Sequence, residues 1–367
     1  MDCGQDAVNN GREFFKRFYS KVIKDRIPVV GGIELTTRCN LNCIHCYVSD
    51  DERKGRHNRK ELSTRQWMDL IDQVADAGCL FLLFTGGETL LRPDFYDIYR
   101  HACRNGLLVT VFTNGTMVTD RIIEAFDAYP PHSIEISLYG ATAATYEAVT
   151  GVAGSFEKAM HGIYRLKDRG FRLKLKTVVL TINFDELEKI ESIAVRLGVP
   201  FRFDAMISPR LDGDPAPLKY RVLPREAVEK EFSDPNRARQ LHDFFYRMNR
   251  QKPLLDLYQC GAGRNMFHIN PFGWVRPCLM VSCENRDLMA GSFRDVWHSS
   301  DFKQFREKEK APAKCRECDK KAVCGYCPGF FQLESGYEWA SSEYLCEFGR
   351  ERKEAILNFH LEEKSIK

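Results

Sequence analysis

The chain has 367 residues, 44% hydrophobic and 29% charged, an ordinary balance for a folded globular protein of two or three domains. A formal charge of +3 gives no basic surface for nucleic acid, no apolar run approaches a membrane span, and the first 30 residues lack the apolar core of a secretory signal; a cytoplasmic protein that binds neither nucleic acid nor membrane is expected. Fourteen cysteines, about 4% of the chain, fall short of a disulfide scaffold, and clustered cysteines in a reducing compartment point to metal or redox chemistry.

Residues 1–28 read as a helical lead segment. From 29 to 207 short apolar runs alternate with amphipathic ones. The runs Ile33–Thr37, Leu80–Thr85, Leu107–Thr113, Ile134–Leu138, Arg172–Leu180 and Val199–Asp204 are short and branched or aromatic, so they predict strands. Asp50–Glu61 is polar and basic and reads as a solvated loop. Ser63-x-x-Gln66 is a capping box ahead of Trp67, Leu70, Ile71 and Val74 at helical spacing, and Gly78 marks the stop. Pro93 and Gly106 bracket another helix, and Phe156–Lys167 and Phe184–Leu197 supply two more. Six strands with crossover helices predict a parallel α/β sheet, a partial (β/α)6 TIM-like barrel. The proline-rich stretch 208–225 predicts a linker, 225–252 helices, 253–346 a small domain held by bound metal, and 347–367 a charged C-terminal helix.

Cys39-x3-Cys43-x2-Cys46 follows the first expected strand. Three thiolates at this spacing can hold three irons of a [4Fe–4S] cluster and leave the fourth open for a substrate. A partial zinc site would want a fourth ligand; His45 reads as a spacer. These residues, with Tyr47 after them, resemble the signature of the radical S-adenosylmethionine (radical SAM) superfamily, and the resemblance extends over residues 30–205. Gly86-Gly87-Glu88 resembles the family motif that binds the amino group of S-adenosylmethionine: two glycines admit the ligand and a carboxylate meets its ammonium. Thr89 stands where the family usually has proline. By the same resemblance Thr113, Asn114 and Ser137 supply ribose and carboxylate contacts, with Lys158 a further candidate for the carboxylate. These motifs fall at the carboxyl ends of consecutive strands, the edge where parallel α/β folds bind ligands. The resemblance implies reductive cleavage of S-adenosylmethionine to a 5′-deoxyadenosyl radical that abstracts hydrogen from a substrate.

A second set follows: Cys260, Cys278, then Cys315-x2-Cys318-x5-Cys324-x2-Cys327, then Cys346. Zinc ribbons separate their two knuckles by more than the five residues found here. The order resembles the SPASM domain of radical SAM enzymes, with x2 where that pattern has x3 before its sixth cysteine. The resemblance implies two auxiliary iron–sulfur clusters of the [4Fe–4S] type: Cys260, Cys278 and Cys327 for one, and Cys315, Cys318, Cys324 and Cys346 for the other. Met266 stands where some relatives place a fourth ligand to the first cluster, and Cys283 is a substitute. Cys79 and Cys103 read as buried small apolar residues.

The resemblance implies oxidative modification of a ribosomally made peptide or protein (a crosslink, thioether or epimerisation) and a reductant such as flavodoxin or ferredoxin. About 30 residues precede the barrel, too few for a leader-binding domain, so a separate leader-binding protein or a leaderless substrate is expected. Leu279 stands where sulfatase-maturing relatives carry an acidic residue, which disfavours that chemistry. A small molecule such as a tetrapyrrole is the second reading, with Arg202, Arg210 and Arg221 as partners for propionates; an iron–sulfur carrier or sensor is the third. Asp204, at the end of the sixth strand, is the candidate acid–base residue.

Overall fold

A computed structural model describes residues 3–54, 59–249, 256–281, 286–308 and 311–365, with side chains from 13 to 248 and up to 361 within those ranges. Its spine is one sheet of nine strands in the order β6-β5-β4-β3-β2-β1-β7-β8-β9. Strands β1 (Val30–Glu34), β2 (Phe81–Thr85), β3 (Leu108–Thr113), β4 (Ser133–Ser137), β5 (Leu173–Val178) and β6 (Phe201–Asp204) are parallel neighbours in sequence order. Strand β7 (Met266–Ile269) adds in parallel to the other edge of β1; β8 (Trp274–Arg276) and β9 (Arg286–Asp287) follow antiparallel. The expected parallel α/β architecture is present, and the barrel does not close.

Alternation decides which side each strand residue faces. Leu82, Phe84, Val109, Val111, Ile134, Ile136, Leu173 and Leu175 are buried in one apolar cluster with residues of the covering helices, such as Trp67, Tyr99, Phe126, Ile163 and Ile190. The helix Thr64–Asp76 starts with the expected Ser63–Gln66 capping box. The crossover between β4 and β5 holds two helices, Ala143–Thr150 and Ser155–Asp168, where one was expected. The helices Pro224–Phe232, Pro235–Asn249 and Glu343–Ser365 pack together beside β6. There the Tyr344 hydroxyl donates to Ala205 O at 2.9 Å, and Arg352 Nε to Glu231 Oε2 at 2.7 Å. Among the described residues no helix is long and apolar enough to cross a membrane.

Two expectations need correction. The first strand is Val30–Glu34, not Ile33–Thr37: it runs through Gly31-Gly32, residues that ordinarily weaken a strand. Their role is steric. A Cβ on Gly31 would lie 2.3 Å from Phe267 Cζ, and one on Gly32 2.9 Å from His268 Nδ1, so bare backbone lets β7 dock. The run Asp50–Glu61 is not simply a solvated loop. It begins with a helical turn, Asp50–Arg53, whose Arg53 is buried, and it ends in Glu61, which accepts from Thr36 Oγ1 at 2.6 Å and Thr37 N at 3.0 Å.

Gly31→Ala is expected to destabilise the protein by about 1–3 kcal/mol, the usual range for overpacking a filled core. Phe267→Leu, which removes the opposing ring atoms, should recover part of that loss. Thermal melts of both single variants and the double variant measure the coupling, and strictly additive losses would contradict the contact.

Candidate active site

The three cysteines Cys39, Cys43 and Cys46 lie in the loop that leaves β1. Its backbone is pinned on one side by the helix Ala143–Thr150: Asn42 N donates to Thr150 O at 2.8 Å and Ile44 N to Val149 O at 3.0 Å. The other side is held by Arg92, which donates to Leu35 O at 2.8 Å and Leu62 O at 3.1 Å while pairing with Asp94. Burial pushes the Cys39 thiol up to about 11 and also raises Cys43 and Cys46, and a charge on neighbouring thiols of the loop raises Cys39 and Cys43 further. Such a trio ionises readily only beside positive charge, as iron would supply.

Gly86 and Gly87 follow β2, and their bareness serves the cysteine loop. A Cβ on Gly86 would lie 2.3 Å from Thr36 O and one on Gly87 2.2 Å from Arg38 O; Gly86 also has φ +136°. The close approach yields two hydrogen bonds, Gly87 N to Thr36 O at 2.7 Å and Glu88 N to Arg38 O at 2.9 Å. Glu88 is fully buried. Its carboxylate accepts from Thr113 Oγ1 at 2.7 Å, Asn114 N at 2.7 Å and Leu90 N at 3.1 Å. Burial raises its pKa despite these bonds, and it has no cationic partner among the described residues. A carboxylate offers about four acceptor sites, so one remains for an ammonium. Thr89 opens a short 3-10 turn, Thr89–Leu91, a position that proline also fits.

Asn114 then reaches back to the cysteine loop, its Nδ2 donating to Asn40 Oδ1 at 3.0 Å and lying 3.9 Å from Cys39 Sγ. The Tyr47 hydroxyl donates to Glu34 Oε1 at 3.0 Å and is 3.4 Å from Gly86 O. Glu34 also has His268 Nε2 at 3.1 Å from its second oxygen, a contact at charge-pairing distance rather than an aligned hydrogen bond. Burial alone would raise the Glu34 carboxyl; His268, Tyr47 and Arg276 outweigh it and hold it low. His45 is half-buried, with its ring edge-on to Tyr139 at 4.7 Å.

The network thus joins Cys39, Tyr47, Gly86, Gly87, Glu88, Thr113 and Asn114. Ser137 ends β4, two residues before the half-buried Tyr139. Lys158 is not brought in. It lies on the exposed side of its helix, whose inward positions are Ala159, Met160, Ile163 and Leu166. Asp204 accepts from Met206 N at 2.8 Å in a local turn. It is reachable by water yet flanked by protein, and that recess raises its pKa. Arg210 and Arg221 are committed elsewhere, Arg210 to Val48 O and Asp50, Arg221 to Ile207 O and Glu334.

In the second set, Cys315, Cys318, Cys324 and Cys346 line one cavity of about 580 Å³. Lys321 lines it too, and its ammonium nitrogen is buried without a hydrogen-bond partner among the described residues. An orphaned cation among thiols suits an anionic thiolate-bound cluster. Cys260, Cys278 and Cys327 form the other group. Burial pushes Cys278 up to about 12, and Cys327 and Cys260 add to the shift. The Met266 thioether lies against Gly261 beside Cys260; Cys283 lies outside the described residues. Tyr326 sits between the two groups, its hydroxyl donating to Leu257 O at 3.0 Å, with cysteines of both groups raising its pKa beyond the effect of burial.

Sequence reasoning missed Glu34, Glu61, Arg53, His268 and Lys321. Glu34 carried a usable signal: an acid between Ile33 and Leu35, inside an apolar strand, has to be paired.

The open parallel α/β barrel thus carries three cysteines in the loop after its first strand and is extended by a second cysteine-lined region, the layout of a metal- or cluster-binding protein. Residues 33–193 match the Radical SAM superfamily and residues 260–319 match SPASM, an iron-sulfur cluster-binding domain. The chain is 30% identical over 314 residues to the AdoMet-dependent heme synthase of Methanosarcina barkeri, covering 80% of this chain and 89% of that one. It is 31% identical over 310 residues to the Mycofactocin maturase MftC of Mycolicibacterium smegmatis, covering 81% and 77%. Its fold resembles Streptococcus suis SuiB bound to precursor peptide SuiA, with a TM-score of 0.69 at 16% identity over 90% and 79% of the two chains. The chain belongs to the radical SAM superfamily and carries a SPASM domain; it is an enzyme that uses S-adenosylmethionine and iron–sulfur clusters.

Glu88→Gln leaves one of three hydrogen-bond donors facing an amide NH2, and the expected loss is about 1–3 kcal/mol of stability. It should also weaken S-adenosylmethionine binding at least tenfold. Melting of the protein and equilibrium dialysis of the cosubstrate test the two effects, and wild-type values in both would contradict the placement.

Proposed function

We propose that this enzyme oxidatively modifies a ribosomally made peptide or protein. The observation that carries the reading is the second cysteine region with its four-thiol cavity, joined to the catalytic strand through the β1–β7 pairing. An oxidation that starts by hydrogen abstraction leaves one electron to remove, and a cluster in that region can take it. The relatives add support, since a maturase and a peptide-bound enzyme are similar in sequence and fold respectively.

In this reading Cys39, Cys43 and Cys46 hold a [4Fe–4S] cluster with one open iron. Cys315, Cys318, Cys324 and Cys346 hold one auxiliary cluster; Cys260, Cys278 and Cys327 hold the other, with Cys283 or solvent completing it. Bound together, the clusters supply single-electron transfers and S-adenosylmethionine supplies the hydrogen-abstracting group. The protein's own part is orientation. Glu88 receives the ammonium while fixing Thr113 and Asn114, Asn114 ties that strand end to the Cys39 loop, and Glu34 holds Tyr47 beside Gly86. In the same reading Asp204, whose pKa is raised, exchanges a proton with the substrate. A flavodoxin or ferredoxin serves as reductant, and the peptide is either leaderless or presented by a separate leader-binding protein. A carboxylated small molecule such as a tetrapyrrole is the second reading, favoured by the likeness to the heme synthase over most of both chains.

Anaerobic purification and iron analysis test the architecture. Three [4Fe–4S] clusters predict about 12 irons per chain, falling to about 8 in the Cys39/Cys43/Cys46→Ala variant, which should release no 5′-deoxyadenosine. Zinc in place of iron after reconstitution would overturn the reading. Release of 5′-deoxyadenosine that rises with peptides and not with a propionate-bearing porphyrin decides between the two substrates.

A further inference from the structure

The sheet face turned away from the helices carries a charge cluster that none of these roles uses. Glu135 on β4 sits among Lys174 and Lys176 on β5 and Arg202 on β6. Arg202 Nη2 donates to Glu135 Oε2 at 2.8 Å, while Lys174 Nζ and Lys176 Nζ lie 3.7 and 3.9 Å from Glu135 oxygens, beyond hydrogen-bond reach. The side is fixed by the alternating partners: Ile134, Ile136, Leu173 and Leu175 are in the helix-covered core, and the Lys176 ammonium lies against the Phe112 ring of β3. Strand register sets Lys176 directly beside Ser137 on one side and Arg202 on the other. Ser137 is the strand end expected to meet S-adenosylmethionine.

Three cations here face one carboxylate. Lys176 is the most enclosed of them, its side chain 19% exposed against 47% for Lys174 and 58% for Arg202. Burial lowers its ammonium to about 7, since Glu135 offsets only part of the effect and Arg202 adds to it. A recess where three basic side chains face one carboxylate attracts an anion, whose charge also favours the protonated Lys176, and the neighbouring strands offer it only Glu135 and, at the mouth, Asp204, whose carboxylate is engaged with Met206 N.

We propose that Lys176, Lys174 and Arg202 form a carboxylate-receiving site on the inner sheet face that holds an acidic group of the substrate next to the S-adenosylmethionine site. The proposal rests on the reading of the chain as a radical enzyme and names the chemistry its substrate brings: an acidic side chain or C-terminus of a peptide, or a propionate. S-adenosylmethionine has a single carboxylate, whereas three basic side chains cluster here around one Glu135. Lys174 also lies two residues, about 7 Å, farther from the strand ends than Lys176.

The test is calorimetric titration of the anaerobic, cluster-loaded full chain, saturated with S-adenosylmethionine, using glutarate and its uncharged analogue glutaramide. Glutarate is expected to bind and glutaramide not to. Lys176→Met and Arg202→Met should each weaken glutarate at least tenfold, Lys176→Arg should stay within about threefold of wild type, and S-adenosylmethionine affinity should change less than twofold. Lys176→Gln replaces the methionine variant if that protein does not fold. Bound glutarate should be displaced by a glutamate-containing peptide or by a propionate-bearing porphyrin, and which one does so identifies the source of the carboxylate. Wild-type glutarate affinity in the variants, or no glutarate binding, overturns the proposal. A tenfold loss of S-adenosylmethionine affinity with glutarate unaffected also overturns it and assigns the cations to the cosubstrate. None of these readouts depends on peptide modification, so failure of the maturase reading shows separately, in the product assay.

Discussion

Everything chemical in this protein is referred to one short strand. Val30–Glu34 pairs with β2 on one edge and with β7 on the other, so the same five residues set the register of the cysteine loop, the Gly86-Gly87 turn and the auxiliary region. The pairing is possible because Gly31 and Gly32 carry no Cβ where Phe267 and His268 must lie. Glu34 closes the arrangement from the end of the strand. It touches Tyr47 of the cysteine loop and His268 of β7, so the two iron–sulfur regions share one buried carboxylate. A shift of β7 by one residue would turn His268 to the opposite face and separate them.

A second theme is incomplete charge. Among the described residues Glu88 is buried with hydrogen bonds but no cation, the cysteine thiols are pushed up together, the Lys321 ammonium has no hydrogen-bond partner beside four cysteines, and Lys176 shares one carboxylate with two other cations. Each is unfavourable in the bare chain and each has the sign opposite to a proposed ligand: an ammonium, iron, a thiolate-bound cluster, a carboxylate. Buried charge is tolerated when it is paired, so ligand binding and folding stability are coupled in this molecule. That coupling also orders the site. Glu88 cannot move without releasing Thr113 and Asn114, and Asn114 is itself tied to the cysteine loop through Asn40.

Much of this was legible in one dimension. Cysteine spacing, the Gly86-Gly87-Glu88 triplet and the strand-ending motifs are local patterns, and they mark the ligand edge of the sheet because parallel strands with crossovers bring consecutive carboxyl ends to one side. Five of the six barrel strands lie inside the apolar runs or within one residue of them, since strand periodicity and turn residues are also local. The first strand was misplaced because its glycines answer to β7, more than 230 residues away. Asp50–Glu61 looked like solvated loop because nothing in its composition shows that Arg53 would be buried or that Glu61 would cap the backbone of Thr37.

The chain's own order of residues therefore determined the chemistry class: which thiols cluster, which turns admit a backbone neighbour, and which edge binds. Only the tertiary structure decided the partners of the buried charges. That Glu88 is occupied by Thr113 and Asn114, that Glu34 meets His268, and that Lys174, Lys176 and Arg202 surround Glu135 all depend on register between strands far apart in sequence. The physical reason is that a charge costs little to place in a sequence and much to bury. Whether it is buried, and against what, is set by packing across the whole sheet.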